Sequence, residues 1–406
     1  MDASTTLAMP RQDVRVLSLV CGGHFVSHFY MMVLPPLFPL MHESLGLSYF
    51  ELSWLLTARY FSTGVAQIPI GFMVDRFGAK VMLVAGLLTM VVGYGLFPFF
   101  SDFWALLGLV VLGGAGDSVL HPANYSILNG SVAKERLGRA YSVHTFSGHI
   151  GFAVGPAVVL PIAVATDWRI AMLAAAAFGF AVMALLLSQW RVMHEDVSAE
   201  DRKRKKEQEA KGEPASDSSV LWSKPVLLLF GFFTISTLAG NGMSSFSVSA
   251  LVQLGVPEAL AGLPLSAFML ASAFAVLAGG LVADRDIKHD LFAAMGFTAA
   301  AVVIFLIATV SMPYILLVIA FGLAGFCLGV IRPARDLMVR DVAPPGASGK
   351  VFGFVFSGQN VGGALAPLIY GALVDHADPH WVFYGSTTFL LLGILTVTGG
   401  RKLIGR

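Results

Sequence analysis

The chain reads GGAGDSVLHPANYSIL from Gly113 to Leu128 and YSVHTFSGHIGFAVGP from Tyr141 to Pro156. About 210 residues later it reads GLAGFCLGVIRPARDLMV from Gly322 to Val339 and GKVFGFVFSGQNVGGALAP from Gly349 to Pro367. His121-Pro122 falls on Arg332-Pro333, Gly138 on Gly349, and Gly155-Pro156 on Ala366-Pro367. Self-similarity at a fixed spacing marks two copies of one design. Both copies are apolar, yet each carries ionisable groups. Asp117, His121 and Asn124 stand at i, i+4 and i+7, on one face of a helix, and Arg332, Arg335 and Asp336 cluster likewise in the echo. Charge at membrane depth costs several kcal/mol unless it faces protein or water. One such face in each half reads as a wall of a polar path between the halves.

Hydrophobic residues make up 56% of the 406 and charged residues 13%, which excludes an ordinary soluble globule. Runs long enough to cross a hydrocarbon core of ~30 Å fall at 14–40, 49–74, 80–100, 104–131, 138–164 and 168–190. They resume at 224–253, 258–283, 290–310, 313–339, 350–374 and 381–400. The expected fold is therefore an all-α membrane protein of 12 transmembrane helices in two pseudo-symmetric six-helix bundles. Residues 1–190 form the first bundle, 191–223 a cytoplasmic linker and 224–406 the second bundle. The linker, with EDRKRKKEQEAKGEPASDSS, is densely charged with mixed sign and no apolar face. Its basic run beside a membrane suits anionic headgroups, and no nucleic-acid partner is expected.

The net charge of +1 decides nothing, whereas the placement of the basic residues does. Arg11, Arg15, Arg76, Lys80, Lys134, Arg136, Arg139, Arg285, Lys288, Arg340, Lys350, Arg401, Lys402 and Arg406 all fall in segments on one side, and the opposite loops hold almost only Arg169. The positive-inside rule then sets both termini and the linker in the cytoplasm. A multi-pass protein of the cell's inner (plasma) membrane follows. No cleavable leader is evident, because the residues before Val14 lead into a full-length span. Cys21 and Cys327 lie within spans, so no disulfide is expected.

Candidate functional residues lie inside the spans. His24 and His28 are at i and i+4 in span one, where they titrate near neutral pH, hold solute, or pack against a carbonyl. Arg59 is too deep in span two for easy snorkelling and needs a carboxylate or a wet cavity; Asp117 on span four is the natural candidate partner, in a structural salt bridge or as counter-ion of a solute-binding arginine. His144 with Gly148, Gly151 and Gly155 makes a small-residue stripe along span five, a surface for close packing or rocking. Span seven carries Thr234, Ser236, Thr237, Asn241, Ser244, Ser245 and Ser247; the hydroxyls are expected to bond back to their own helix, leaving Asn241 between two glycines as the group for a cavity. Gln359 and Asn360 offer hydrogen-bonding groups on span eleven.

Span two ends in Gly71-Phe-Met-Val-Asp75-Arg76-Phe-Gly78-Ala-Lys80, and span eight ends in Gly280-Leu-Val-Ala-Asp284-Arg285. The first is the pattern G-x-x-x-D-R-x-G-x-K and the second repeats its start. With six-plus-six topology, this resembles the major facilitator superfamily along the whole chain. The resemblance implies alternating-access transport, with these residues as a conformational latch. Gly71 allows close helix approach, Asp75 meets the positive N-terminal end of a helix of the other half, expected to be span eleven, and Arg76 and Lys80 pin the loop. Within that superfamily SVLHP in span four, His24 and a polar residue four further on in span one, and Gly155-Pro156 closing a glycine-rich span five look like the fosmidomycin-resistance branch, which exports small anionic or amphipathic compounds. The acid that branch commonly places after the first histidine is His28 here, and the Glu after His-Pro is Ala123.

The expected activity is therefore secondary active transport of a small anionic or amphipathic organic solute, proton-coupled and directed outward, by a monomer with no cofactor. His24, His28, Arg59, Asp117 and Asn241 are expected to form the centre and His121, Arg332 and Arg335 to line its cytoplasmic approach, with Asn124, Gln359 and Asn360 as further solute-binding groups. Asp117, His24, His28 and Asp336 are the candidates for carrying the proton. A second reading takes His24, His28, His121 and Asp117 as a passing site for a divalent metal or metal chelate. An enzyme is not expected, since no zinc-protease, nucleophile-elbow or cofactor motif is present. A non-transporting receptor is the alternative of another class.

Overall fold

A computed structural model of the chain describes residues 9–133, 136–194, 218–283, 288–342 and 348–404, without the side chains of 68, 71, 75, 218–219, 348–350 and 398–404. Every long element among them is a helix: α1 (Arg11–Met31), α2 (Phe38–Leu45), α3 (Tyr49–Phe77), α4 (Ala79–Leu96), α5 (Phe103–Asp117), α6 (Leu120–Ser131), α7 (Leu137–Ala165) and α8 (Trp168–Ser188). The second half adds α9 (Lys224–Asn241), α10 (Ser247–Gln253), α11 (Glu258–Ala283), α12 (His289–Thr309), α13 (Tyr314–Val330), α14 (Arg332–Val342), α15 (Ser348–His376) and α16 (Trp381–Ile404). Paired across their breaks, these give the twelve expected rods. Among the described residues nine rods are long and apolar enough to cross a membrane. α3, α15 and α16 are not among those nine; α3 and α15 carry polar residues, such as Arg59 and Thr63 on one and Gln359 and Asn360 on the other, and the apolar stretch described in α16 is the shorter Trp381–Val397.

The breaks have sequence causes. Pro35, Pro36 and Pro39 separate α1 from α2 through a 3-10 turn at Pro35–Leu37. Pro122 has no N–H to give the carbonyl of Ser118, and span four steps from α5 to α6 there. Pro333 does the same to Gly329, between α13 and α14. Both repeats therefore bend span four or its counterpart at the same position. One consequence differs from the sequence reading: Asp117, His121 and Asn124 do not share an unbroken helix, because Asp117 ends α5 while His121 and Asn124 belong to α6.

Helices that pack in lipid gain nothing from hiding apolar surface from one another, so close backbone approach at small residues must hold them. One compact unit comprises Met1–Met31, Ser62–Phe152 and Arg169–Pro214. In it α4 crosses α5 so tightly that a Cβ on Gly93 would sit 2.8 Å from the carbonyl oxygen of Leu109. Tyr30 stacks on Tyr94 at 4.7 Å and donates its hydroxyl to the carbonyl of Ala175 at 2.8 Å, tying α1, α4 and α8 together. Asp13 pairs with Arg136 at 2.8 Å near the start of α1.

The other unit comprises Met32–Phe61, Ala153–Trp168 and Ala215–Arg406. There α11 lies along α13, where a Cβ on Gly325 or Gly329 would collide with the carbonyls of Phe268 and Ser272. α9 packs on α15 and α16, and the first half of α3 packs on α15, where a Cβ on Gly371 would lie 2.7 Å from the carbonyl oxygen of Tyr49. Thr57 also donates to the carbonyl of Ala364 at 2.8 Å.

Large apolar side chains face outward. Phe72, Trp104, Leu281 and Ile315 are exposed by 71% or more, and within a mostly apolar core a few polar residues, Ser53, Asn124, His144, Ser247 and Ser249, are fully buried. An apolar exterior is what a bilayer demands.

Candidate solute-binding site

Span one turns His24 and His28 to the same side, one helical turn apart, and their rings lie 4.3 Å apart between centroids. The first turn of α6 brings His121 to 4.9 Å from His24 and 5.8 Å from His28. The first half of α7 supplies His144, whose ring stacks on that of His24 at 3.8 Å, nearly parallel. His149 lies 6.4 Å from His28. Five histidines thus meet within one compact unit.

Space for them is made by glycine. A Cβ on Gly148 would fall 2.5 Å from Cε1 of His24 and 2.8 Å from Nδ1 of His28, and one on Gly151 would meet the backbone of Phe25 and Phe29. The small-residue stripe of span five is what lets α1 approach α7 closely enough for rings from both to interleave.

The hydrogen-bonding of the cluster is incomplete. Nδ1 of His24 lies 2.7 Å from the carbonyl oxygen of His144. A carbonyl only accepts, so that nitrogen carries the proton and Nε2 keeps a lone pair. Nε2 of His24, Nδ1 of His28 and both nitrogens of His144 are buried without a hydrogen-bond partner, as are both amide atoms of Asn124. Each buried polar group left in that state costs about 1–3 kcal/mol. Such a concentration on one surface marks a place shaped for a ligand and not for stability alone. Asp117 is buried and accepts a short hydrogen bond from Ser27 on α1.

The second unit holds the other expected residues. Arg59 is 3% exposed, and its guanidinium lies 4.9 Å from the ring of Tyr60. Arg59 and Asp117, the pair expected from the sequence, belong to different units. Arg335 contacts Asp336 at 3.5 Å and lies over the ring of Phe233 at 4.2 Å. Arg332, on the same turn of α14, is half-buried, as is Gln359, while Asn360 is exposed.

Thr234, Ser236 and Thr237 donate back to their own helix, as expected of hydroxyls in a span. Asn241 also bonds within its helix, giving its amide N–H to Thr237 and accepting from Ser245, where α9 passes into a π-turn at Gly242–Phe246. π-turns inside helices recur at functional positions.

In the latch motif, Gly78 opens α4 with φ of 90° and Lys80 lies 5.2 Å from the ring of Trp190. Arg76 lies 5.3 Å from the ring of Phe77, and a Cβ on Gly280 would meet nothing within 4 Å. Asp284 and Arg285 lie outside the described residues, as do the side chains of Gly71 and Asp75 and residues 195–217 of the linker.

Sequence reasoning placed His144 on a packing stripe and gave no role to His149 or Ser27. The signal for His144 was its position four residues before Gly148, which puts ring and gap on one face. Nothing in the sequence near Ser27 pointed to Asp117.

Twelve helical rods among the described residues and an apolar exterior define a polytopic helical membrane protein. The family model of the Major Facilitator Superfamily matches residues 20–252 and again 234–401. The chain belongs to the Major Facilitator Superfamily, a family of transporters and not of enzymes, and has its fold of two six-helix repeats. It is 23% identical over 400 residues to the multi-drug resistance efflux pump PmrA homolog of Lactococcus lactis, covering 92% of this chain and 91% of that protein. It is 24% identical over 404 residues to the probable sulfoacetate transporter SauU of Cupriavidus necator, covering 95% and 91%. Neither of these is a fosmidomycin-resistance protein. Among solved structures, the nucleoside transporter NupG superposes with a TM-score of 0.78 at 13% identity, covering 96% of this chain and 100% of that one. A bacterial homolog of the human lysosomal transporter Spinster gives a TM-score of 0.77 at 12% identity, covering 97% and 98%.

Proposed function

We propose that this transporter is a proton-driven exporter of a small anionic or amphipathic organic solute, working by alternating access. The observation that carries the reading is the set of unpartnered imidazole and amide groups around His24, next to the Ser27–Asp117 bond, inside otherwise apolar helices. Polar groups left unsatisfied at membrane depth are retained where a ligand satisfies them in turn. Arg59, Arg332 and Arg335 supply positive charge for an anion. Asp117 and Asp336 are the carboxylates placed to take up and release a proton. An ion gradient is the natural energy source because the sequence has no nucleotide-binding motif.

Support for an anion and for outward movement comes from the relatives, one named as an efflux pump and one as a probable sulfoacetate transporter. The likeness to the fosmidomycin-resistance branch points the same way. The moving bodies are the chain halves 1–190 and 224–406, joined by 191–223, with Asp75, Arg76, Lys80 and their echo latching the side that bears the basic loops. That side is the cytoplasm, with both termini there, and the protein works as a monomer in the inner membrane, because its twofold relation is internal.

The test is flux in proteoliposomes driven by an imposed pH gradient, screened over small organic anions, with Asp117→Asn and Arg59→Ala as controls. Loss of gradient-driven flux in both is expected; wild-type flux in both would remove the proposed centre, and binding without net movement would favour a receptor. A second reading, a divalent metal or metal chelate as cargo, is favoured by one observation: one nitrogen each of His24, His28 and His121 lie within 4.8 Å of one another.

A further inference from the structure

The geometry points to a single-ion site for a divalent late first-row metal, of the Zn²⁺ class, held by His24, His28 and His121 with a fourth position open to a carboxylate of an anionic chelator. The cargo of the proposed transporter is then the metal chelate. This identification of the cargo rests on the transport reading, whereas the ion site itself does not.

Three neutral imidazoles with one open position are a recognised donor set for zinc, and imidazole suits copper and nickel as well. The three rings come from two elements, α1 and α6, and one nitrogen of each is within 4.8 Å of the other two. A zinc–nitrogen bond of about 2.0–2.1 Å brings tetrahedral donors to roughly 3.3 Å from one another, so the nitrogens close by up to about 1.5 Å on binding. His121 has room to make that movement, being half-buried and in the first turn after the break between α5 and α6.

The protonation pattern is already that of a metal-binding histidine. A backbone carbonyl fixes Nδ1–H of His24 and turns the lone pair of Nε2 toward the cluster, the outer-shell device that orients metal-bound imidazoles. Nε2 of His24 and Nδ1 of His28 are buried without a hydrogen-bond partner, so an ion satisfies both at once. No thiolate or carboxylate completes the group among the described residues. Asp117 is held by Ser27 instead, which places a negative charge near the site without closing the fourth position. A chelator's carboxylate both fills that position and offsets the ion's charge, which a bare dication in a membrane interior lacks.

The purified protein, freed of metal with EDTA, is titrated with Zn²⁺ by calorimetry, and with Co²⁺ for the intense visible bands of tetrahedral coordination. One ion per chain is expected, with affinity lowered at least about tenfold by His28→Ala and by His121→Asn and unchanged by His380→Ala, which removes an exposed ring. Citrate serves as the chelator probe: Zn²⁺ is expected to raise its affinity at least about tenfold in the wild type and not in His28→Ala. Binding of Zn²⁺ that persists in both histidine variants, no binding at all, or citrate affinity indifferent to Zn²⁺ overturns the inference. Citrate flux driven by a pH gradient in metal-free liposomes would leave the transport reading standing while this one fell. A metal site without flux of any solute would do the reverse.

Discussion

Asp375, near the end of α15, accepts hydrogen bonds from the backbone N–H groups of Tyr49 at 2.9 Å and Phe50 at 2.7 Å, in the first turn of α3. The first N–H groups of a helix have no partner within it, and a carboxylate there meets the positive end of the helix dipole. One side chain from the second repeat thus caps a helix of the first. Asp375→Ala is expected to free both amides, with a loss of about 1–2 kcal/mol, or roughly five- to thirtyfold faster local opening. Hydrogen exchange in a peptide spanning residues 46–55 measures this, and unchanged protection would show that the cap contributes nothing.

Gly148 faces the rings of His24 and His28 with no room for a methyl group. Gly148→Ala forces both imidazoles or α7 itself to shift, at a cost of about 1–3 kcal/mol. Transport is expected to fall at least about tenfold while the protein still folds. Gly108→Ala, where a Cβ meets nothing within 4 Å, is the control and is expected to behave as the wild type. Equal flux in the two variants would mean that the histidine cluster is not part of the solute path.

Ser27 is the donor to Asp117 across α1 and α5. Ser27→Ala leaves a buried carboxylate short of a hydrogen bond, which costs about 1–3 kcal/mol of stability. Ser27→Ala and Asp117→Asn are expected to be non-additive by at least about 0.5 kcal/mol in thermal unfolding, because they remove one shared interaction. Strict additivity would separate the two residues.

Arg335 lies over the ring of Phe233 and beside Asp336. Phe233→Leu removes the ring but keeps apolar bulk, and a loss of about 0.5–2 kcal/mol is expected from the missing cation–π contact. Arg335→Lys retains charge but not the planar stack, and is expected to weaken anion transport through KM more than through kcat. A change confined to kcat in flux assays would assign Arg335 to the conformational step instead.

Much of the fold was legible because a bilayer imposes a one-dimensional rule: a span needs length and apolarity, and both can be counted along the chain. The repeat fixed the symmetry, whereas the breaks before Pro122 and Pro333, which part Asp117 from His121 and Asn124, were not read from the i, i+4, i+7 spacing. Back-bonding of Thr234, Ser236 and Thr237 was equally local and equally readable. The convergence of His144 and His149 on span one was not, since it depends on how deeply α1 can sink against Gly148 and Gly151. Ser27–Asp117 and Tyr49–Asp375 are likewise pairs separated by 90 and 326 residues, with no pattern in the chain to announce them.

By itself the sequence determined that this is a twelve-helix membrane protein with two matching halves and scarce charge kept within its spans, because hydropathy and spacing act residue by residue. Only the tertiary structure decided which of those polar groups meet. Contact between distant helices depends on the depth of backbone approach at small residues, and that is a property of two surfaces together.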